Sequence, residues 1–208
     1  MTKERKAVRK PLSFSTTMRN PERIAGFLGC LIPFEGKILT NEIIYEVAVK
    51  LISKKLYYTQ KYEMKVPEYK KIYNNPDLMF SREQVEDIIK NSPQEHKEAG
   101  FDKGWPSRFD TWYEFPQELG FVRYGIGKPI VISQTGHMLV DAFNEEQPNN
   151  EKIEAVFLNA LMKYQTNNPF KKNLNASAPL ILTLQTINYL RKINNNNAGI
   201  HRQELSLI

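Results

Sequence analysis

The chain has 208 residues, of which 41% are hydrophobic and 25% are charged, and its formal net charge is +6. This size and composition suit one large domain or two small ones with ordinary cores, and they argue against an intrinsically disordered chain. No segment approaches the roughly 20 apolar residues of a membrane-spanning helix, which argues against an integral membrane protein.

The positive charge is concentrated at the N-terminus. Five basic residues and one acidic residue give the first ten positions a net charge of +4, which leaves +2 for the rest of the chain. We therefore predict that residues 1–11 form a basic tail. Such a tail is either a solvated segment or an arm that contacts nucleic-acid phosphates, and the sequence leaves both interpretations open.

Two helices are predicted after this tail. Asn20 is placed to cap the first helix, with Pro21 at its first position, and the helix should end near Pro33. Thr40 can cap a second helix, whose broad apolar stripe ends around residues 54–55. A short turn joins the two helices.

The flanking segments carry weaker signals. Residues 12–17 alternate enough to predict a short strand. Residues 58–80 are rich in tyrosine, lysine, proline and asparagine, and we interpret them mainly as connection. A further helix is predicted from Ser81 onward.

Residues 100–142 form a consistent helix, hairpin and helix pattern, which we call the helix–hairpin unit. Gly120 should end its first helix, because a residue with positive φ is most easily glycine. Two short β-forming runs, 121–124 and 129–133, are joined by a turn at 125–128, and Thr135 can cap the following helix. The apolar side chains of the first helix, spaced by three and four, are Phe109, Trp112, Phe115 and Leu119.

This order of elements is typical of a winged helix, and it makes double-stranded DNA the first partner to consider. Pro116 lies inside the first helix and should kink it, so that only its first two turns would read DNA. The unit is not strongly basic, because residues 100–128 contain four basic and four acidic side chains.

The C-terminal part contains two more predicted helices, one around residues 153–161 and a long amphipathic one over 180–193. An asparagine- and lysine-rich loop at 165–176 is the candidate domain boundary. Residues 200–208 look like the start of another helix, and we expect the chain to be the N-terminal portion of a longer protein.

The predicted fold class is therefore mainly α with small β wings (α+β). Residues 12–165 are expected to form a winged-helix DNA-recognition domain with an N-terminal helix pair. Residues 166–208 would begin a second, incomplete helical or winged-helix domain, so that two units stand in tandem.

The cysteine and histidine content predicts neither a disulfide nor a metal site. Cys30 is the only cysteine, so an internal disulfide cannot form. His96, His137 and His201 lie far apart without a cysteine nearby, which does not match zinc-ligand spacing. We expect a reducing, cytoplasmic location and no cofactor held by this chain itself.

Several segments together resemble the N-terminal region of the AlwI-like type IIS restriction endonucleases, a family that includes nicking enzymes. The resemblance covers essentially residues 11–208. The segments that carry it are KPLSFSTTMRNPERIAGFL, FEGKILTNEII, ELGFVRYGIGKPIVISQTGHMLVDA and EKIEAVFLNALMKYQ.

The resemblance implies a DNA-recognition part built of winged-helix domains, followed in full-length members by a Mg²⁺-dependent nuclease domain of the PD-(D/E)xK type. Such enzymes recognise a short asymmetric duplex sequence and cut outside it. We expect the hydrolytic residues to lie outside this chain, and we predict no catalytic residue within it.

One motif within the chain superficially matches the nuclease signature, namely Asp77 after Pro76 together with Glu95 and Lys97. Metal-dependent hydrolysis needs these carboxylates on adjacent strands, where they can share a metal ion and the lysine can orient water. The intervening segment is predicted to be helical and Glu95 lies in a turn. We therefore interpret these residues as surface or capping groups.

The candidate DNA-binding residues fall into two classes, because phosphate contacts position a protein and base contacts specify the sequence. Arg19, Asn20 and Arg23 surround a helix start whose free amides favour a phosphate. A carboxylate partner for Arg19 is equally compatible with the sequence, and the family resemblance favours DNA. Arg123 and Lys128 on the hairpin suit flanking phosphates or a minor groove.

Base readout is predicted at the exposed start and outer face of the helix that begins near Pro106. The predicted residues are Lys103, Ser107, Arg108 and Thr111. Arginine can bind guanine through two hydrogen bonds, and serine or threonine can reach either base edge of the major groove.

Two other functions fit the same elements. A winged-helix transcription regulator would normally dimerise on a palindrome, whereas the resemblance implies a monomer on an asymmetric site. A winged-helix module that binds protein is the other alternative, which the balanced charge of the helix–hairpin unit permits.

Overall fold

The computed structural model describes residues 20–59, 62–98, 100–164, 178–194 and 199–201. The basic tail, the predicted strand at 12–17, the boundary loop at 165–176 and most of the segment 200–208 lie outside these ranges. The α-helices in the described ranges are α1 Pro21–Leu31, α2 Asn41–Ser53, α3 Pro67–Asn74, α4 Arg82–Asn91, α5 Trp105–Glu118, α6 Gln134–Asn144, α7 Asn150–Lys163 and α8 Pro179–Ile193. The strands are β1 Val122–Arg123 and β2 Val131–Ile132. The predicted class, mainly α with a small sheet, is confirmed.

The described residues fall into two compact units, one reaching to Ile153 and one containing the residues from Glu154 onward. The second unit holds most of α7 and all of α8. None of the helices in the described ranges combines the length and the apolarity that crossing a membrane requires.

The capping predictions for the first helices are confirmed. The Asn20 side chain accepts a hydrogen bond from the Glu22 amide at 3.0 Å, and Pro21 occupies the start of α1. Thr40 accepts from the amide of Ile43 at the start of α2. A 3₁₀ turn, Ile32–Phe34, follows α1 and places Pro33 where the helix was predicted to end.

The interpretation of residues 58–80 as connection is wrong in part, because α3 lies within them. Tertiary contacts stabilise this short helix. The Tyr69 ring is buried edge-on against Phe80, and its hydroxyl donates to the Asp87 carboxylate of α4 at 2.8 Å. The sequence did not indicate this helix, because proline and asparagine flank it and it has only one buried side chain, Tyr69, which leaves no apolar periodicity to detect.

The predicted helix and hairpin at 105–132 are confirmed. α5 continues through Pro116 to Glu118, and Gly120 then adopts φ +78°. The amide of Phe121 donates to the carbonyl of Pro116 at 2.9 Å, and the amide of Gly120 donates to that of Gln117 at 3.0 Å. This is the Schellman arrangement that ends many helices.

The small sheet is antiparallel, with Val122 opposite Ile132 and Arg123 opposite Val131. An additional segment, residues 36–39, pairs through its backbone with residues 128–130, which lead into β2. The amide of Leu39 donates to the carbonyl of Lys128 and the amide of Ile130 donates to that of Lys37, at 2.8 and 2.9 Å. The chain from 128 to 132 therefore pairs first with the segment 36–39 and then with β1.

The start of α6 corrects one capping prediction. Ser133, and not Thr135, is the N-cap, because its hydroxyl accepts from the amide of Gly136 at 3.1 Å. The Ser133 amide also donates to the carbonyl of Phe121 at 2.9 Å. The hairpin therefore fixes where the helix begins.

An aromatic core links α1 and α5. The Tyr113 hydroxyl donates to the carbonyl of Phe27 at 2.8 Å, and the Phe27 ring packs edge-on against Trp112. α1 packs against α5 and α6, and α2 packs against α5. The N-terminal helix pair therefore packs against the helix–hairpin unit.

Candidate nucleic-acid interface

An open cleft of about 560 Å³ lies beside the start of α5. Its lining includes Arg108 from α5, two tyrosines from the segment after α2, and the segment that follows α4. The lining residues are Tyr57, Tyr58, Thr59, Ser92, Pro93, Gln94, Glu95, His96 and Arg108. Of the four predicted base-reading residues, Arg108 lines this cleft.

Arg108 is partly exposed and is held by a single neighbour. Its Nε donates to the Gln94 Oε1 atom at 3.1 Å. Within the described ranges, no acceptor is in hydrogen-bonding position for its two terminal nitrogens. The end of the guanidinium therefore keeps its paired donors for a ligand.

Ser107 and Thr111 correct the sequence prediction, because both are buried and neither lies on an outer face. The Ser107 hydroxyl accepts from the amide of Glu98 and donates to the carbonyl of Asp102, at 3.0 and 2.7 Å. The Thr111 hydroxyl donates to the carbonyl of Ser107 at 3.0 Å. The Ser107 hydroxyl connects α5 to the segment before it, and the Thr111 hydroxyl is bound within α5. We therefore do not propose either residue as a base reader.

Lys103 lies on the surface immediately before α5. Its ammonium forms an ion pair with Glu95, and both side chains are more than half exposed. An exposed pair of this kind contributes little to stability, so the lysine can exchange its partner for a phosphate at small cost.

The outer face of the hairpin combines cations with exposed aliphatic side chains. Arg123 and Lys128 are both exposed, as predicted. Ile126 lies in the hairpin turn and is 45% exposed, while Ile38 and Val131 on the paired segments are 49% and 47% exposed. Such a surface can approach both phosphates and the apolar sugar edges of a groove.

The predicted phosphate site at the start of α1 is described only in part, since Arg19 lies outside the described residues. The side-chain oxygen of Asn20 is used as a cap. Arg23 is exposed, lies 5.8 Å from the centre of the Phe27 ring and donates to the carbonyl of Leu56 at 3.0 Å. Both side chains thus already serve the local structure.

A partly buried carboxylate faces the hairpin from α5. Burial raises the pKa of Asp110 to about 6, against a smaller lowering by its hydrogen bond from the Tyr124 hydroxyl at 2.9 Å. Burial also raises the pKa of Tyr124 well above its usual value. The hydrogen bond between Asp110 and Tyr124 joins α5 to the hairpin, and burial disfavours the ionised form of the Asp110 carboxylate.

The described residues do not offer a metal-binding cluster of three or more histidine, cysteine, aspartate or glutamate side chains. Glu95 pairs with Lys103, and the Lys97 ammonium donates to the carbonyl of Phe101 at 2.5 Å. The backbone amide of Asp77 donates to the side chain of Asn75. Each of the three residues thus has a different neighbour as its partner.

Sequence reasoning missed Gln94 and Tyr57. Gln94 follows α4 in an irregular segment, where no periodic pattern indicates what a side chain contacts. Its partners are 37 and 14 residues away along the chain. A proline-flanked glutamine next to a predicted helix is too common a pattern to have indicated such a role.

Comparison with known proteins gives one match. The family model described as AlwI restriction endonuclease matches residues 117–208, just under half of the chain. The matched range contains the last residues of α5, the hairpin, α6, α7 and α8. No curated protein and no solved structure matches the chain.

Proposed function

We propose, from the match of residues 117–208 to the AlwI restriction endonuclease family, that this chain recognises a specific sequence in double-stranded DNA. The match confirms the resemblance over that range and carries the proposal. Residues 11–116, including the cleft, lie outside it, and their resemblance to the family stays a prediction.

The arrangement of the elements supports a winged-helix interpretation of the unit that reaches to Ile153. α1, α2 and α5 pack together, and a hairpin follows α5 and pairs with the segment 36–39. In this interpretation α5 takes the place of the recognition helix, and α3 and α4 are an insertion before it. The hairpin is then the wing.

The residues have separate roles in this proposal. Arg108 reads a base edge, whereas Lys103, Arg123 and Lys128 contact phosphates and fix the position on the duplex. The start of α1, with Arg19, Asn20 and Arg23, and the basic tail provide further phosphate contacts. Most of the affinity then comes from sites outside the charge-balanced helix–hairpin unit.

Phosphodiester hydrolysis with Mg²⁺ is part of the proposed role of the parent enzyme. The described residues do not fit the metal, since they lack a cluster of suitable ligands. We therefore assign them no hydrolytic step. Cutting outside the site, nicking of one strand and a cytoplasmic location stay predictions from the sequence.

The proposal is tested by titrating the purified chain against a fluorescent duplex at several salt concentrations. We expect one protein per duplex and a steep loss of affinity with salt, with each phosphate contact adding about 0.9 to the logarithmic slope. Absence of duplex binding at low salt would overturn the proposal. Binding of two copies to a palindrome would instead favour a transcription regulator.

A further inference from the structure

We propose that Gln94 positions Arg108 to read a guanine through the two terminal nitrogens of its guanidinium. The inference rests on the proposed DNA-recognition function and adds the site and geometry of one base contact. The cleft beside α5 is, on this view, where a base edge in the major groove meets the protein.

Gln94 orients Arg108 through one hydrogen bond. Its Nε is already bound to the Oε1 atom of Gln94 at 3.1 Å. A guanidinium has donors on Nε and on two terminal nitrogens, and two of them can bind the O6 and N7 acceptors of guanine. Because Nε is bound to Gln94, a guanine can make two hydrogen bonds with Arg108 only through the two terminal nitrogens, at the end of the guanidinium.

Two further hydrogen bonds hold the side-chain amide of Gln94. Its Oε1 also accepts from the Tyr57 hydroxyl at 3.2 Å, and its Nε2 donates to the carbonyl of the buried Ser92 at 3.0 Å. A flipped amide would set an NH₂ group against the Arg108 donor and an oxygen against a carbonyl. The contacts therefore allow one orientation of the amide.

Tyr57 connects these hydrogen bonds to the aromatic core. The Tyr57 ring lies 4.8 Å from the ring of buried Trp112 and 6.1 Å from that of Trp105, both in α5. Tyr57 is thereby held by the helix that carries Arg108. A guanidinium held in this way loses less conformational freedom on binding than a free arginine, which favours specific contacts.

The experiment begins with selection of duplexes from a random library by the wild-type chain, followed by measurement of the preferred duplex and its single base-pair replacements. Arg108→Ala should remove the preference at one G·C pair. Gln94→Ala should weaken the preference at that same pair about 3- to 10-fold, as expected for loss of one positioning hydrogen bond. Its salt slope should not change, because it contacts no phosphate.

Two further variants distinguish positioning from general damage. Tyr57→Phe keeps the packed ring and removes its hydrogen bond, so it should give a smaller loss at the same pair. Gln94→Ala combined with Arg108→Ala should bind like Arg108→Ala alone, because the two changes act on one contact. Gln117→Ala is the matched control, since this α5 glutamine accepts from the amide of Tyr124 and does not contact Arg108.

Several results would overturn the inference. If Gln94→Ala keeps the full preference, or if its loss is spread evenly over all positions, Gln94 does not position Arg108. If Arg108→Ala leaves the preference intact, the inference fails while duplex recognition stands. If the wild-type chain binds no duplex at low salt, both fail. Thermal unfolding of each variant separates these results from misfolding.

Discussion

Gly136 allows α6 and the hairpin to approach more closely than any other residue type would. A Cβ atom at this position would lie 2.4 Å from the carbonyl oxygen of Phe121 and 2.9 Å from a methyl carbon of Ile132. Real Cβ atoms do not come this close to backbone oxygen. Glycine at this position therefore allows the first turn of α6 to pack directly against the hairpin backbone.

We predict that Gly136→Ala lowers the free energy of unfolding by about 1–3 kcal/mol, because the helix and the hairpin must separate. Gly29→Ala is the control, since its Cβ would meet only a Val140 methyl at 3.8 Å within a helix. That change should raise stability by about 0.5–1 kcal/mol. Urea unfolding of both variants tests this, and equal effects would contradict the packing described.

Asp110 makes stability depend on pH in a definite direction. Its pKa is about 6 in the folded protein, against an ordinary value of 3.8 for a solvated aspartate. Between these values the folded state keeps a proton that the unfolded state loses, so stability falls as pH rises and levels off once the pH has passed the folded pKa of about 6. The ionised carboxylate is therefore unfavourable at neutral pH.

Asp110→Asn should consequently stabilise the protein at pH 7–8, by an amount on the order of 1 kcal/mol after allowance for its partial exposure. The amide oxygen can still accept from Tyr124, so packing is kept. The gain should fade as pH falls from about 6 to about 4, and it should be absent at lower pH, where the aspartate is protonated in both states. Unfolding curves across this range, with the exposed Asp141→Asn as control, provide the test, and a gain independent of pH would contradict it.

The hairpin is the element that most directly connects the fold to the proposed DNA contact. Arg123 and Lys128 are predicted to contact phosphates, which carry no sequence information. Replacing either by alanine should weaken binding to all duplexes and lower the logarithmic salt slope by about 1. Lys70→Ala, on exposed α3, makes the same change in charge and should leave the slope unchanged. Altered base preference in either hairpin variant would assign it to base reading instead.

The elements that could be predicted from sequence are those whose signals are local. Asn20, Thr40 and Ser81 cap helices where their positions before apolar stripes indicate. Gly120 ends α5 because positive φ favours glycine. The helix α3 could not be predicted, because the contacts of Tyr69 with α4 and Phe80 stabilise it and local propensity does not.

The candidate site was less predictable than the fold for the same reason. Arg108 was identified from its place at a helix start. Ser107 and Thr111 lie on the same helix, yet both are buried, and Ser107 is bound to Glu98 and Asp102 of the preceding segment. The helical pattern does not reveal these contacts. The role of Gln94 could not be predicted, because its partners Tyr57 and Arg108 come near it only in the folded chain.

At the scale of the whole molecule, affinity and specificity are expected to come from different parts. The first ten residues carry most of the positive net charge, whereas residues 100–128 of the helix–hairpin unit contain equal numbers of basic and acidic side chains. A long-range cationic tail raises the affinity for any duplex without distinguishing sequences. We therefore expect the tail to raise the affinity for any duplex and the cleft to determine which sequence is preferred.

Replacing the five basic residues of the tail by serine should therefore weaken binding to every duplex by the same factor. Keeping its length constant controls for effects of chain truncation. Parallel titrations against the selected duplex and a scrambled duplex measure this factor. A larger loss for the selected duplex would show that the tail reads sequence. That result would contradict the proposal that the tail provides affinity and the cleft provides specificity.

The most direct test of sequence-specific recognition is sequencing of the duplexes that the full chain retains from a random library at increasing salt concentration. We predict that one short asymmetric sequence is enriched and that its advantage persists after non-specific binding is lost. Retention of duplexes without any enriched sequence, or no retention at low salt, would contradict the proposed function.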